Sequence, residues 1–207
     1  MSVISNIIVG IDHWDDITKP FMDSIREHEQ TTPILIIDNA SRVPYPVLDD
    51  ITTIRTTDRL GYAAALNVGI RYSKADWYVC FNNDCRCKGR YVNIIDQLDP
   101  NILYGSKWTE DDITHKRWTE SAWLIISEKI LKTVGLFDPL FDAGFEELDY
   151  ELRAEKAGFK LGVAELPIIH LACSTRFNEP NYGARWNKCR EYFAEKHGYT
   201  TKPWIDE

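Results

Sequence analysis

Asn82, Asn83 and Asp84 follow directly on Trp77 to Phe81, an apolar run with the length and β-forming composition of a buried strand. Carboxamides and a carboxylate at that point fall at the carboxyl edge of a sheet, where open α/β sheets bind their ligands. Oxygen donors spaced i, i+2 suit Mg²⁺ or Mn²⁺, ions usually held by one or two carboxylates together with substrate phosphates. Asn and Asp are also turn formers, so the same residues can simply end the strand. A second acidic group opens the run from Phe145 to Arg153. Glu146 and Glu147 fall in a first helical turn, where the helix dipole favours ionised carboxylates. Asp149 and Arg153 have the i, i+4 order of a bracing pair rather than a reacting one. Glu147 and Glu151 share a face, and a solvated acidic face is the plain alternative. His170 ends the apolar segment from Leu166, as a ligand or as a satisfied structural imidazole. Asp38, after a strand, is a ligand contact or a turn former. His13, His28, His115 and His197 have no partner that the sequence names.

The elements that must position these groups alternate between strand and helix. Val3 to Ile11, Pro33 to Ile37, Ile51 to Thr56, Trp77 to Phe81 and Ile102 to Gly105 read as strands. Helices are expected from Asp15 or Thr18 to His28, from Tyr62 to Ser73 and from Arg90 to Leu98. This order implies a mainly parallel central sheet flanked by helices. The second half is less regular. Trp108 to Trp118 reads as a mobile charged loop and Ala122 to Ile126 as a strand. Ser127 is placed to cap a short helix to Val134. A helix from Phe145 to Ala157, a strand from Phe159 to Ala164 and an amphipathic helix from Tyr182 to His197 complete the chain.

With 207 residues, 44% hydrophobic and 27% charged, the chain is expected to form one globular domain. A net charge of −8 argues against a nucleic-acid or anionic-membrane surface. No apolar run approaches the ~18 residues of a transmembrane segment, and no signal peptide is evident. The cysteines are five, an odd number, and Cys85 and Cys87 form a lone C-x-C without a second pair. Free thiols and a cytoplasmic location are the expectation, and a zinc site is not.

Five stretches in order resemble glycosyltransferase family 2 over about Val3 to Gly198. They are Asp38-Asn39-Ala40-Ser41, Gly61-Tyr62-Ala63 leading to Asn67, Asn82-Asn83-Asp84, Gly135-Leu136-Phe137-Asp138, and Glu146 to Arg153. The resemblance implies a single GT-A domain, with residues 1–107 as the nucleotide-sugar half and 108–207 as the acceptor half. It implies a nucleotide-sugar donor, a divalent cation (Mn²⁺ or Mg²⁺) and inversion at the anomeric carbon. By position, Asp38 is the acid that reads the donor base. Asp12, Gly61, Tyr62, Asn67, Asn82 and Asn83 are the further donor contacts. Asp84, His170 and Asn82 are the cation residues, and Glu147, beside Glu146, is the general base. The sequence departs from the family pattern at Asn82 and at Glu147, each standing where an Asp is expected. Ser121-Ala122-Trp123 also lacks the glycine expected at the acceptor-side turn.

These residues can serve glycosyl transfer to a hydroxyl. A cation neutralises a leaving diphosphate, and direct inversion needs one base on the face opposite it. If Asp38 accepts an N–H from the base, a UDP-, dTDP- or GDP-linked donor is expected rather than a cytidine one. The acceptor is a glycan or another hydroxyl-bearing molecule, with Trp108, Trp118 and Trp123 on its side. A sugar-phosphate nucleotidyltransferase would need a Gly-rich basic loop where Asp12 to Asp16 stands. A non-catalytic nucleotide-sugar-binding protein is the other alternative.

Overall fold

A computed structural model describes residues 2–110, 113–114, 116–172 and 181–200. Its centre is β1 (Ile4–Gly10), every residue of which is buried. β-Branched residues on both faces suit a strand covered on both sides, and β1 lies between two parallel neighbours, β2 (Ile34–Asp38) and β4 (Trp77–Asn82). The period-2 alternation divides the core. Ile7, Val9, Leu35 and Ile37 pack towards Leu66 and Ile70 of α2 (Tyr62–Tyr72). Ile4, Ile8, Ile34 and Ile36 pack towards Phe21 and Ile25 of α1 (Lys19–His28), which follows a π-helical turn at Trp14–Thr18. Helix α2 lies so close to the sheet that a Cβ on Gly69 would stand 2.6 Å from Ile7 Cγ2.

The sheet continues through β3 (Thr52–Arg55), β6 (Ile102–Gly105), β9 (Trp123–Ser127) and β10 (Lys160–Val163), in the order β10-β6-β9-β4-β1-β2-β3. Strand β9 is antiparallel to both β4 and β6; the β4, β1, β2 and β3 pairings are parallel. The Ser127 hydroxyl accepts from the Ile130 amide at 3.1 Å and starts α4 (Glu128–Val134), as its capping role requires.

Two readings from the sequence change, and one unassigned strand is added. The helix expected from Arg90 to Leu98 shrinks to α3 (Val92–Ile95). The segment read as a loop from Trp108 to Trp118 carries an antiparallel ribbon of β7 (Lys107–Glu110) and β8 (Arg117–Glu120), with Arg117 stacked 4.6 Å over the Trp108 ring. Between Asp84 and α3 lies a short strand, β5 (Cys85–Cys87), paired antiparallel with β11 (Ile168–His170). His115 lies outside the described residues.

The last two helices are bound by a buried carboxylate. Asp149, on α5 (Glu146–Lys156), is fully buried and accepts from Arg153 at 2.8 Å, as its spacing implies. Lys196 and His197, on α6 (Tyr182–His197), reach the same carboxylate at 2.6 and 2.9 Å, which supplies the partner His197 lacked in the sequence. Lys196 also pairs with Asp138 at 2.6 Å, but removing the buried charge of Asp149 leaves the Arg153 guanidinium without a carboxylate, at a cost of about 3–5 kcal/mol. Asp149→Asn should lower unfolding stability by that amount in urea titration; a loss under about 1 kcal/mol would show the cluster to be a surface-type pairing.

Candidate active site

The carboxyl ends of β1, β2 and β4 lie at one edge of the sheet, and beyond them opens a cleft of about 300 Å³. Asn82, Asn83 and Asp84 line it from the end of β4. The β5–β11 pairing sets His170 opposite Cys85, one residue from Asp84. His170 Nε2 stands 3.1 Å from Asp84 Oδ1 and 3.5 Å from Asn82 Nδ2. The Tyr62 hydroxyl, at the start of α2, donates to Asn82 Oδ1 at 3.0 Å, and Asn83 Nδ2 donates to Thr18 Oγ1 at 3.1 Å. Glu120, which the sequence did not single out, lines the same cleft 3.8 Å from His170 Nδ1 and pairs with Lys107 at 2.6 Å. It ends β8, a strand the sequence reading did not assign.

The opposite wall is the segment from Asp142 to Glu147. Phe145, at φ 69°, turns the chain into α5 and packs 5.1 Å from the Trp186 ring of α6. Arg185 Nη2 donates to Asp142 Oδ1 at 2.7 Å, and both residues line the cleft. Cys189 Sγ accepts from the Asp142 and Ala143 amides at 3.3 and 3.4 Å. Glu146 and Glu147 therefore stand on a wall held from behind by α6. Glu146 is only 7% exposed, and burial, then the adjacent Glu147 carboxylate, pushes its carboxyl well above the usual range. The acidic run is not a solvated face: Glu146, Asp149 and Glu151 are all buried.

The structure keeps four expected donor contacts out of the cleft lining. The Asp38 carboxylate is 1% exposed and accepts from the Ser41 and Tyr45 amides at 3.0 and 3.1 Å and from Arg55 at 2.6 Å. Burial opposes its charge, but these donors hold its carboxyl below the usual range. These bonds brace the loop whose Asn39 lines the cleft. Asp12 is engaged by the Arg42 amide at 2.8 Å and guanidinium at 3.1 Å. Asn67 clamps the Phe137 backbone, donating to its carbonyl at 2.8 Å and accepting from its amide at 3.0 Å. Gly61 permits contact with the far wall, since a Cβ there would lie 2.8 Å from Asp142 Cα. In their place Asn39, Arg59 and Leu60 line this end.

The fold is that of the GT-A class. Solved structures with this fold include a mannosyltransferase from Pyrobaculum calidifontis in complex with GDP-Man and Mn²⁺, at TM-score 0.69 and 16% identity, over 98% of this chain and 66% of that one. GalNAc-T7 with UDP, GalNAc and Mn²⁺ matches at TM-score 0.69 and 14% identity, over 96% and 51%. S. aureus TarS matches at TM-score 0.59 and 11% identity, over 78% and 35%. The chain thus spans about a third to two thirds of the length of these relatives. No curated protein sequence matches it. The family model for glycosyl transferase family 2 matches residues 16–146, and the chain belongs to that family.

Among the described residues no three His, Cys, Asp or Glu side chains are placed to hold a metal alone. The donor set does fit a shared site. The 3.1 Å between Asp84 Oδ1 and His170 Nε2 is about the spacing of adjacent ligands on an ion bound at ~2.1 Å, with ligand phosphate oxygens to complete the shell.

Glu151, one turn beyond Glu147, turns away to Thr119, accepting from its amide at 3.1 Å and from its hydroxyl. Burial raises its carboxyl to about 8. The folded state thus holds a proton that the unfolded chain has released, so this stabilisation is full below pH ~4.5 and is lost as pH rises to about 8. Glu151→Gln should flatten the fall in unfolding free energy between those limits. An unchanged pH slope in denaturant titrations would count against the assignment.

Proposed function

We propose that this protein transfers a sugar from a nucleoside-diphosphate sugar to an acceptor hydroxyl, with inversion at the anomeric carbon and with a divalent cation. The observation that carries the reading is one cleft lined by both the Asp84–His170–Asn82 group and the Glu146–Glu147 pair. The first is suited to a metal-bound diphosphate and the second to proton removal. Asp84 Oδ1 and His170 Nε2 would hold the cation, with Asn82 as a neutral oxygen donor. When bound, the cation neutralises charge on the departing diphosphate. Arg59 and Arg185 line the same cleft and add positive charge for the phosphates.

Glu147 accepts the proton of the acceptor hydroxyl as that oxygen attacks the anomeric carbon. The bond to the diphosphate breaks on the opposite face, and the nucleoside diphosphate leaves with the bonding electrons. The acceptor is a glycan or another hydroxyl-bearing molecule bound towards residues 108–207. Residues 1–107 form the donor half of the same domain. UDP-, dTDP- and GDP-linked donors remain the candidates, recognised at the Asn39–Leu60 end that Asp38 braces. Similarity to structures holding GDP-Man or UDP with Mn²⁺ supports this choice. The buried free thiols of Cys80, Cys85, Cys87 and Cys189 are in keeping with a cytoplasmic setting, and among the described residues no helix is long and apolar enough to cross a membrane.

Glu147→Gln should bind donor as the wild type does but turn over ~10²–10⁴-fold more slowly in assays of nucleoside diphosphate release. Turnover near the wild-type rate would assign the base elsewhere. An imidazole ligand favours Mn²⁺ over Mg²⁺, and so few protein charges make cation and diphosphate bind together. In calorimetry a nucleoside diphosphate should bind most tightly with Mn²⁺, less with Mg²⁺ and weakly with chelator. The enhancement should be equal in both directions. Asp84→Ala should remove this coupling, and His170→Ala should weaken it and narrow the Mn²⁺ preference. Equal affinity under all three conditions would mean a site that works without metal.

A further inference from the structure

Glu146 has been left without a task, although it is the more buried of the two glutamates on the cleft wall. Its Oε2 is shielded from solvent and receives no hydrogen bond, while the two carboxyl groups lie within hydrogen-bonding reach of each other. Around the pair stand Tyr62 of α2, Cys80 of β4 and Glu151 of α5, with the Asp142–Arg185 pair on the same wall. Two touching carboxylates in a buried site cannot both be ionised without severe repulsion. A single proton resolves both difficulties: it removes one charge and turns an oxygen without a donor into a donor itself.

We propose that Glu146 is a positioning residue that keeps a proton and donates it in a hydrogen bond to the Glu147 carboxylate, aiming and stabilising the base. This rests on the reading of Glu147 as the base. In the transfer step the acceptor proton passes to Glu147, the acceptor oxygen bonds to the anomeric carbon, and the diphosphate leaves with its electrons. The Glu146 proton is not consumed. Protonated carboxylic acids are good donors to carboxylates, and a charge-assisted bond of this kind is about twice as strong as a neutral one. The arrangement also accounts for two acids in succession at a helix start where the chemistry needs only one base.

Infrared difference spectroscopy of the resting protein at neutral pH, wild type against Glu146→Gln, tests the proton directly. The carbonyl band of one protonated carboxyl group should disappear in the variant, and Glu151→Gln identifies the separate band from Glu151. An unchanged protonated-carboxyl region in Glu146→Gln would overturn the proposal. Because no substrate is present, this arm decides the proton's location independently of any transferase activity. In turnover, Glu146→Gln keeps a donor towards Glu147 and should stay within about tenfold of wild type. Glu146→Met, similar in length without a donor, should lose ~10²-fold and move the acid limb of kcat/KM to higher pH. Equal losses in the two variants with an unmoved acid limb would also overturn it.

Discussion

Everything at the site depends on the burial of β1 on both faces between parallel neighbours. A strand with no solvated face must be flanked by strands and covered by helices, and parallel pairing makes β1, β2 and β4 run in the same direction. Their chains therefore leave the sheet at the same edge. Polar groups that each strand needs only as a terminator are thereby collected in one place. Asn39, from the loop after β2, and Asn82 to Asp84, from the end of β4, reach a common cleft for that reason. The cleft is in this sense a by-product of how the core is covered.

The cleft is electrostatically divided. On one side Asp84 and His170 meet at 3.1 Å with Glu120 and Lys107 behind the imidazole. On the other, two adjacent carboxyl groups sit on a wall braced by α6 through Arg185 and Cys189. An ion-binding side needs ionised, solvent-reachable oxygens, whereas a base gains from a drier site that raises its appetite for a proton. On the proposed function, the fold would separate these demands by building the first side on strand ends and the second on a buried helix start.

What could be read from the sequence follows from how local the determinants are. The apolar runs of β1, β2 and β4 and the acids at the start of α5 carry their own signal, and each lies where its pattern indicates. The cap of α4 at Ser127 was legible for the same reason. Glu120 was not, because only its pairing across the β7–β8 ribbon and its approach to His170 give it significance. Three-residue strands such as β5 and β11 have no periodicity to detect, yet they deliver His170 to Asp84. Asp38 and Asn67 show the converse. Polar residues at motif positions look like ligand contacts, but Asp38 spends its carboxylate on a loop and an arginine, and Asn67 spends its carboxamide on the Phe137 backbone. Sequence shows which atoms can bind; only the fold shows which are already engaged.

The span along the chain between partners has a consequence for the order of assembly. Asn82 and His170 meet across 88 residues, and Asp142 and Arg185 across 43, whereas the paired strands β1 and β2 are near neighbours in the chain. Contacts that close long loops bear the greater chain entropy and slow the folding of the regions they define. During synthesis the sheet edge emerges first, and the imidazole and the α6 brace arrive only later, with β11 and α6. A nascent chain halted before β11 would own a sheet edge without His170 and an acidic wall without the α6 brace. Occupancy of the completed cleft by a ligand is thus a report on the folding of elements far apart in the chain, because β1 and β4 on one side and β11 and α6 on the other must all be in place before it exists.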